Sequence, residues 1–543
     1  MSVRVKYSDV AIGAKESFDI EVGNFLPASN VSLLKTSGSE FQRYDIPFEL
    51  NSMILDGGSQ FLPEEGLADI AFISDEISDE DGNFQTPISW EFVSEETFAS
   101  IGLSFLFDET KNIYATHINV KWYNGYALLE DVDFYPNSAR YFCNKNVQFF
   151  NRIVVMFYSL NVPLNRLRVN AVDYGLDVDF EGNELRSAKI IQEIDPISTS
   201  VPINTFDFTL DSNRDIEYSF QTKQPLKISF NNQTKATMFV KSAKRKSRSV
   251  WEIKSEDYIG LMDSIDFKGG IYNNYDALLL IGEIFSVAKI PYSVSGDFEG
   301  VKLTGHIPYT SCRDALMQVV FAIGAVADTS NSDKVDVFSL SGEISQNIPK
   351  RRLIQGQSFE EETRVTAVEM LAHSYREISE ILTAYDAEKS GIGENILVKF
   401  SEPLHDLSIY DGTILESGFN YAIINATSET CTLIGQKYEH NTIIRRKENP
   451  LVLSSDVENI ISIQNATLVS AENVDTLLDM CYNYIVNTQR TNMKIIDGEN
   501  TETTSVGDFI SYETEYLGDK EGRIIKQSFS LVGNILVKDS VVR

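Results

Sequence analysis

Thr116-His117-Ile118-Asn119-Val120-Lys121-Trp122-Tyr123-Asn124-Gly125-Tyr126-Ala127-Leu128-Leu129 is the stretch that sets the fold class. Ile118, Val120 and Trp122 fall on one face at a period of two, the spacing of a half-buried strand. Asn124-Gly125 then offers two residues that tolerate positive φ, which predicts a type I′ hairpin turn. Further strands follow at Asn151–Tyr158 and Arg166–Val169, with little helical periodicity between them. Many short strands with frequent turns predict a β-sandwich over residues 1–190.

Outward from that segment, the pattern restarts near Asp195-Pro196. Ile203, Thr205, Asp207 and Thr209 alternate with Asn204, Phe206, Phe208 and Leu210. Strands Leu226–Phe230 and Ala236–Val240 flank Asn231-Asn232, read as a turn. The basic run Lys241-Ser242-Ala243-Lys244-Arg245-Lys246-Ser247-Arg248 precedes the strand Ser249–Lys254.

Helical spacing enters over 256–345. Asn274 is read as the cap of a helix carrying Leu278, Leu279, Ile281, Ile284, Phe285 and Ala288, with Pro291 beyond its end. A second helix starts near Ser311, carries Ala315, Leu316, Val319, Val320 and Ile323, and stops at Gly324. Residues 346–455 return to strands, among them Val365–Leu371 and Tyr421–Ile424.

Over 456–543, Asn473 is read as the cap of the best helix. Val474, Leu477, Leu478, Cys481, Tyr482 and Ile485 follow the i, i+3, i+4 rule along it. A last hairpin, Gly522–Leu531 and Ile535–Lys538, surrounds a Gly533-Asn534 turn. The expected fold is mainly β with an α+β insertion, divided at 1–190, 191–255, 256–345, 346–455 and 456–543.

Composition narrows the function. The 543 residues hold 47 Lys+Arg against 79 Asp+Glu, a formal net charge of −32. Such a field repels phosphate backbones and anionic membrane surfaces, which argues against specific nucleic-acid binding. Hydrophobic residues at 43% and charged residues at 23% are enough for sizeable cores. The N-terminal Met1–Tyr7 alternates like a strand, and no window of about 18 apolar residues occurs. The expectation is a protein that leaves a cell by lysis or within a particle.

The motifs of catalysis are missing. Cys143, Cys312, Cys431 and Cys481 form no CxxC or zinc spacing and read as reduced, buried thiols of a bacterial cytoplasm, with a disulfide left open. His117, His306, His373, His405 and His440 form no HxxxH or HExxH pair, so each reads as an ordinary surface or packed histidine. There is no GxSxG, P-loop or GxGxxG. With 79 acidic residues, carboxylate pairs arise by number alone. The acidic loop Asp75–Asn83 holds oxygen ligands suited to Ca²⁺ but lacks EF-hand spacing, and reads as a solvated loop. The run Asp177, Asp179, Glu181, Asn183 reads the same way. No enzymatic activity, cofactor or metal is expected.

Several segments carry a family likeness. The rhythm of strands from Trp90 to Val169 resembles the galactose-binding, discoidin-like jelly rolls. Asp195–Ser198 through Phe208–Asp211, Ser255–Asp263, Gly305–Leu316 and Phe321–Ser330 resemble tail proteins of prophages in low-GC Gram-positive bacteria. The ending, a long helix, then Val506-Gly507-Asp508-Phe509-Ile510, then a Gly-turn hairpin, is similar to baseplate (tail-tip) hub proteins. The likeness covers 195–543 as a hub and 1–185 as an attached sandwich.

The resemblance implies a homotrimer with two tube-like β-barrel domains per chain. The barrels would come from 191–255 and 346–455, bracket the α+β region, and be completed by 456–543. It implies docking onto the tail tube on one side and the spike, or central tip protein, on the other. It also implies a channel for DNA, whose wall is expected to be acidic so that DNA slides.

The expected function is therefore a structural hub subunit of a phage or phage-like contractile particle, located in the virion tail tip and assembled in the host cytoplasm. Whether the particle is instead a non-contractile tail or a bacteriocin is open. Lys241, Lys244, Arg245, Lys246 and Arg248 oppose the net sign of the chain and are the interaction candidates, as an electrostatic latch on an acidic neighbour. The alternative is a receptor protein whose N-terminal sandwich binds a host-wall glycan. Tyr123, Tyr126 and Trp122 offer aromatic surface for that, although Trp122 alternates with the inner face. A tail-associated wall hydrolase is the third reading.

Overall fold

The computed structural model describes residues 3–11, 13–35, 44–46, 49–50, 60–62, 70–212, 220–230, 233–386, 393–428, 430–453, 457–487, 489–495, 504–514, 518–532 and 535–543. It is 57% strand and 12% helix, so the mainly-β expectation holds. Two compact units form. One is Lys6–Phe180 with Arg214–Phe220, here the N-terminal unit. The other, the main unit, is Met1–Val5, Glu181–Asn213 and Gln221–Arg543.

The N-terminal unit is built on β1 (Asp19–Val22), β2 (Phe72–Ile73), β3 (Asn83–Phe107), β4 (Ala115–Asn124), β5 (Ala127–Phe134), β6 (Arg140–Leu160) and β7 (Arg168–Asp173). They make one seven-stranded sheet in the order β2-β7-β3-β6-β4-β5, with β1 also beside β3. The long pair β3·β6 shifts register at Val93/Phe98, Phe98/Ser100 and Ser100/Gly102. These bulges bend the sheet, so that both halves of β3 face one core. Trp90 and Phe92 before the bulges, and Phe105 and Phe107 after them, are all buried in it. Gly102 has to be glycine, because at φ +149° a Cβ would lie 2.1 Å from the Cys143 carbonyl oxygen.

The β4–β5 hairpin forms with Ile118, Val120 and Trp122 fully buried, as their period predicts. Its turn is displaced by one residue. Asn124 pairs with Ala127, so Gly125 and Tyr126 are the loop residues. Gly125 has φ +58°, and neither Asn124 nor Tyr126 has positive φ. One leading Gly at positive φ is the type II′ pattern, so the I′ expectation is corrected.

In chain order, the main unit contains β8 (Leu185–Glu193), β9 (Thr205–Asp211), β10 (Pro225–Phe230), β11 (Gln233–Arg245), β12 (Val250–Glu256) and α1 (Tyr258–Met262). It continues with α2 (Ala277–Ala288), β13 (Lys302–Ile307), α3 (Cys312–Ile323), β14 (Val326–Asp328), β15 (Leu353–Glu361), β16 (Ala367–Asp386) and β17 (Leu404–Tyr410). It ends with β18 (Thr432–Glu448), β19 (Ile460–Ile463), α4 (Val474–Ile485), β20 (Gln489–Ile495), β21 (Asp519–Val532) and β22 (Ile535–Val542).

The C-terminal hairpin β21–β22 pairs back on β8, giving the strand order β10-β11-β12-β9-β8-β21-β22-β20-β15 within one large sheet. A second sheet has the order β17-β18-β16-β19. The turns expected at Asn231-Asn232 and Gly533-Asn534 lie outside the described residues, although Val532 pairs with Ile535 across the latter.

Helix α2 is capped by Asp276, whose Oδ1 accepts from the backbone N–H groups of Leu278 (3.0 Å) and Leu279 (3.2 Å). The expected cap, Asn274, instead sits two residues earlier at φ +51°. Ile281, Ile284, Phe285 and Ala288 are buried as expected; the departure is at Leu279, 61% exposed, with Leu280 buried in its place. The run Leu278-Leu279-Leu280-Ile281 is apolar throughout, so periodicity alone could not tell Leu279 from Leu280. Helix α3 follows expectation: Ser311 Oγ accepts from the Asp314 N–H at 3.1 Å, and Gly324 closes the helix at φ +68°.

Helix α4 buries Val474, Leu477, Leu478 and Cys481 against Val368, Met370 and Ala372 of β16. Asn473 stands at its start without capping it. Its amide donates to the carbonyls of Ala322 (3.2 Å) and Leu468 (3.3 Å), tying the helix start to α3. All four cysteines are buried and unpaired, and burial pushes the thiols of Cys312 and Cys481 up to about 11 and about 12.

Candidate functional site

The basic run lies on the β11–β12 hairpin, where Lys244 pairs with Glu252 and Arg245 with Trp251. Apart from Ala243 the run is exposed. Two of its cations are answered locally, Lys241 Nζ by Glu256 at 2.6 Å and Lys246 Nζ by Glu252 at 2.9 Å. The Arg245 guanidinium lies over the Trp251 ring at 5.3 Å and donates to the carbonyls of Ser247 (3.2 Å) and Arg248 (2.9 Å). Those bonds hold the tip in one shape. Lys244 and Arg248 form no ion pair with a described residue. Three of the five candidates, Lys244, Arg245 and Arg248, therefore present uncompensated positive charge on a fixed hairpin.

Open strand edges form a second feature. β15, at one end of the large sheet, pairs only with β20 and has no strand on its other side among the described residues. Ile354 and Phe359 on it are exposed. The half of β18 beyond Tyr438 pairs only with β16 among the described residues, and Ile443 and Ile444 stand exposed on opposite faces of it. Leu451 and Val457 nearby in the chain are exposed at 76% and 81%. Apolar side chains beside unpaired backbone are features that neighbouring chains cover.

Three histidines read singly from sequence come together. His373 and His440 lie on the paired strands β16 and β18, with His373 Nδ1 2.9 Å from His440 Nε2. The His440 ring stacks on Tyr375 at 4.5 Å. His306 on β13 packs edge-on to Tyr375 at 5.4 Å and meets Asn420 Oδ1 with its Nε2 at 2.7 Å. Sequence spacing holds no signal of this, because strand register brings together residues 67 positions apart. Burial, with His440 adding to it, pushes His373 down to about 4. Burial also lowers His306.

A second buried polar group has the opposite tendency. Asp257 accepts from the N–H groups of Gly260 (3.0 Å) and Asn204 (3.1 Å) and from Thr329 Oγ1 (2.6 Å), joining β9, α1 and the end of β14. Burial pushes its carboxyl up to about 7 against the pull of these donors. Neighbouring Asp328 is raised by burial too.

Signs follow from linkage. A histidine held below its free value near 6.5 stabilises the fold above that pH, and the contribution is lost as pH falls towards 4. A raised carboxyl does the reverse, losing stability as pH rises from about 4 to 7. The two offset each other in the native chain, so the variant difference is the readout. His373→Asn, which keeps an Nδ1-like donor, is expected to close on the native chain by about 2 kcal/mol between pH 7 and pH 5. Melting curves of both at a series of pH values measure this, and a constant gap would refute it.

The remaining candidates are structural in place. Asp79 Oδ1 accepts from the N–H groups of Asp81 (2.9 Å) and Asn83 (2.8 Å), and Glu76 Oε1 from Gln85 N–H (2.7 Å), which braces the acidic loop. Trp122 is core, Tyr123 lies under the Arg152 guanidinium at 4.8 Å, and Tyr126 is 97% exposed at the hairpin tip.

No protein-family model matches the chain, and no curated protein matches it. Among solved structures it is similar to the tail protein from Neisseria meningitidis MC58, at 10% identity and a TM-score of 0.44, over 67% of this chain and 93% of that one. It is similar to the 43 kDa tail protein of prophage MuSo2 from Shewanella oneidensis, at 9% identity and 0.42, over 67% and 94%. The same holds for prophage tail protein gp18 from Listeria monocytogenes EGD-e, at 9% and 0.39, over 67% and 90%. These are likenesses of outline.

Proposed function

We propose that the chain is a structural, non-enzymatic subunit of a phage or phage-like tail tip: a baseplate hub that joins tail tube to spike, assembles as a homotrimer and surrounds a channel for DNA. The reading places it in a particle made in a low-GC Gram-positive host. The observation that carries it is the open edge of β15, with the exposed Ile354 and Phe359 on it. A nine-residue strand with no second strand beside it among the described residues invites pairing with another chain, which suits a protein that works only in an assembly. The segments 195–211, 255–263, 305–316 and 321–330, similar to prophage tail proteins, give that assembly its kind.

Mass measurement and negative-stain imaging of the purified full chain test the proposal. A ring-shaped trimer is expected. A chain that stays monomeric at high concentration and is present as one copy per particle would end it.

The basic hairpin is the proposed latch onto an acidic neighbour. Replacing Lys244, Arg245, Lys246 and Arg248 with Glu should change melting little, since surface substitutions usually stay within about 0.5 kcal/mol each. Particle assembly should fall, more steeply at low salt, because exposed charge is screened within about 10 Å at 0.1 M. Unaltered particle yield would make the hairpin a solvated tip and nothing more. A second reading, a glycan-binding receptor protein, is favoured by one observation, the polar and aromatic outer face of the N-terminal sheet.

A further inference from the structure

Strand alternation that buries Ile118, Val120 and Trp122 sends His117, Asn119 and Lys121 to the other face of β4. There they meet the outward residues of β5 and β6 on either side. Tyr158, His117 and the exposed Tyr135 form one cross-strand row of nearly parallel rings, spaced 4.5 Å and 5.0 Å with interplanar angles of 19° and 17°. Beside that row lies a carboxylate pair. Asn119 Nδ2 donates to Asp131 at 2.8 Å and to Asp133 at 3.3 Å, and His117 Nε2 is 2.9 Å from the same Asp133 oxygen. Asn119 is 6% exposed, and its Oδ1 has no hydrogen-bond partner among the described residues.

Each part of this face selects a kind of ligand. Aromatic faces are electron-rich and attract the slightly positive C–H groups of a flat ring. Ionised carboxylates only accept, so they want donors, and two of them on adjacent rungs suit a pair of hydroxyls. The cations on the face are already matched. Lys121 Nζ is 3.2 Å from Asp131, and Arg152 pairs with Glu91. A polyanion would therefore meet acceptors rather than free positive charge.

We infer that the outer face of β4, β5 and β6 is a binding site for a neutral saccharide, with Tyr135 as the stacking ring and Asp133 and Asp131 as hydroxyl acceptors. This deepens the glycan-binding reading above and rests on it, and it depends on nothing in the hub reading; retention unchanged in both face variants would sink this site alone, whereas no retention on any sugar would sink that reading with it. The hub is tested by mass and imaging, whereas this is tested by sugar retention, so either can fail alone.

The probe is a panel of immobilised neutral hexose and N-acetylhexosamine oligosaccharides, with anionic polysaccharides alongside, and the full chain as the analyte. Retention of the native chain on at least one neutral sugar is expected. Tyr135→Ala and Asp133→Ala should each weaken it roughly tenfold or more, the loss of one good contact. Both residues are more than half exposed at the side chain or residue level, so their replacement leaves the fold standing. Tyr126→Ala, at the exposed hairpin tip, should bind like the native chain. The inference is overturned if no neutral sugar retains the protein, if both face variants bind unchanged, or if only anionic polymers bind and salt releases them.

Discussion

Leu478→Asp is expected to give insoluble or rapidly proteolysed protein. Leu478 lies in the α4 stripe and is 5% exposed, packed in one cluster with Phe321, Val368, Met370 and Ala372. Removing its side chain loses burial worth about 2–5 kcal/mol. Inserting a carboxylate adds the cost of burying a charge with no cation in that cluster, several kcal/mol more once the group neutralises or drags in water. The sum is comparable with a whole domain's net stability of about 5–15 kcal/mol. Asp475→Asn, on the exposed side of the same helix, should stay within about 0.5 kcal/mol and serves as the control. Soluble yield, limited proteolysis and melting of the two variants together measure this. A soluble Leu478→Asp protein that melts with the native chain would mean that α4 does not pack on β16 as described.

Legibility followed the range over which the controlling interaction acts. The β4–β5 hairpin could be read because one of its faces is wet, so a period of two separates Ile118, Val120 and Trp122 from His117 and Lys121. Helix α4 was legible for the same reason at a period of 3.6. Helix α2 was legible as a helix and in most of its facing, failing only in the choice of Leu279 over Leu280, because Leu278 to Ile281 is apolar throughout. Its cap was misplaced because both Asn274 and Asp276 are good capping types, and only the backbone decides between them. The edge of β15 had no signature at all, since a strand does not record in its own residues which neighbour is missing. The histidine group and the saccharide face depend on register between strands far apart in the chain. The kind of assembly proposed rests on the resemblance of sequence segments to prophage tail proteins, since neither composition nor periodicity could name one.

Arg168 shows the same limit and carries the other large effect. It opens β7, and nothing in the strand pattern around it marks a buried charge, yet its side chain is 1% exposed. It is held by Glu49, 119 residues earlier, with Nη2 2.5 Å from Oε2. Asp108 Oδ2 lies 3.7 Å from Nη1, and Lys111 Nζ lies 3.8 Å from the same Glu49 oxygen. Arg168, Lys111, Glu49 and Asp108 thus put two charges of each sign in one buried site, with Arg166 and Asp45 acting on it from beside, while burial and the nearby Arg168 lower the pKa of Lys111.

Arg168→Ala leaves two buried carboxylates facing one lysine, an imbalance that typically costs about 3–5 kcal/mol. For a unit of this size each kcal/mol moves the melting point by about 2–4 °C, so a fall of roughly 6–20 °C is expected in the N-terminal unit's transition. Removing the pair together is a different perturbation. Arg168→Met with Glu49→Leu keeps Asp108 and Lys111 balanced and puts apolar volume where the ion pair stood, which is often close to neutral. The double variant should therefore regain more than half of what Arg168→Ala loses, and a double-mutant cycle on these positions should show strong coupling. Calorimetry of the full chain follows both transitions at once. A loss below about 1 kcal/mol in Arg168→Ala would mean that water reaches this network and that the N-terminal core is not closed around it.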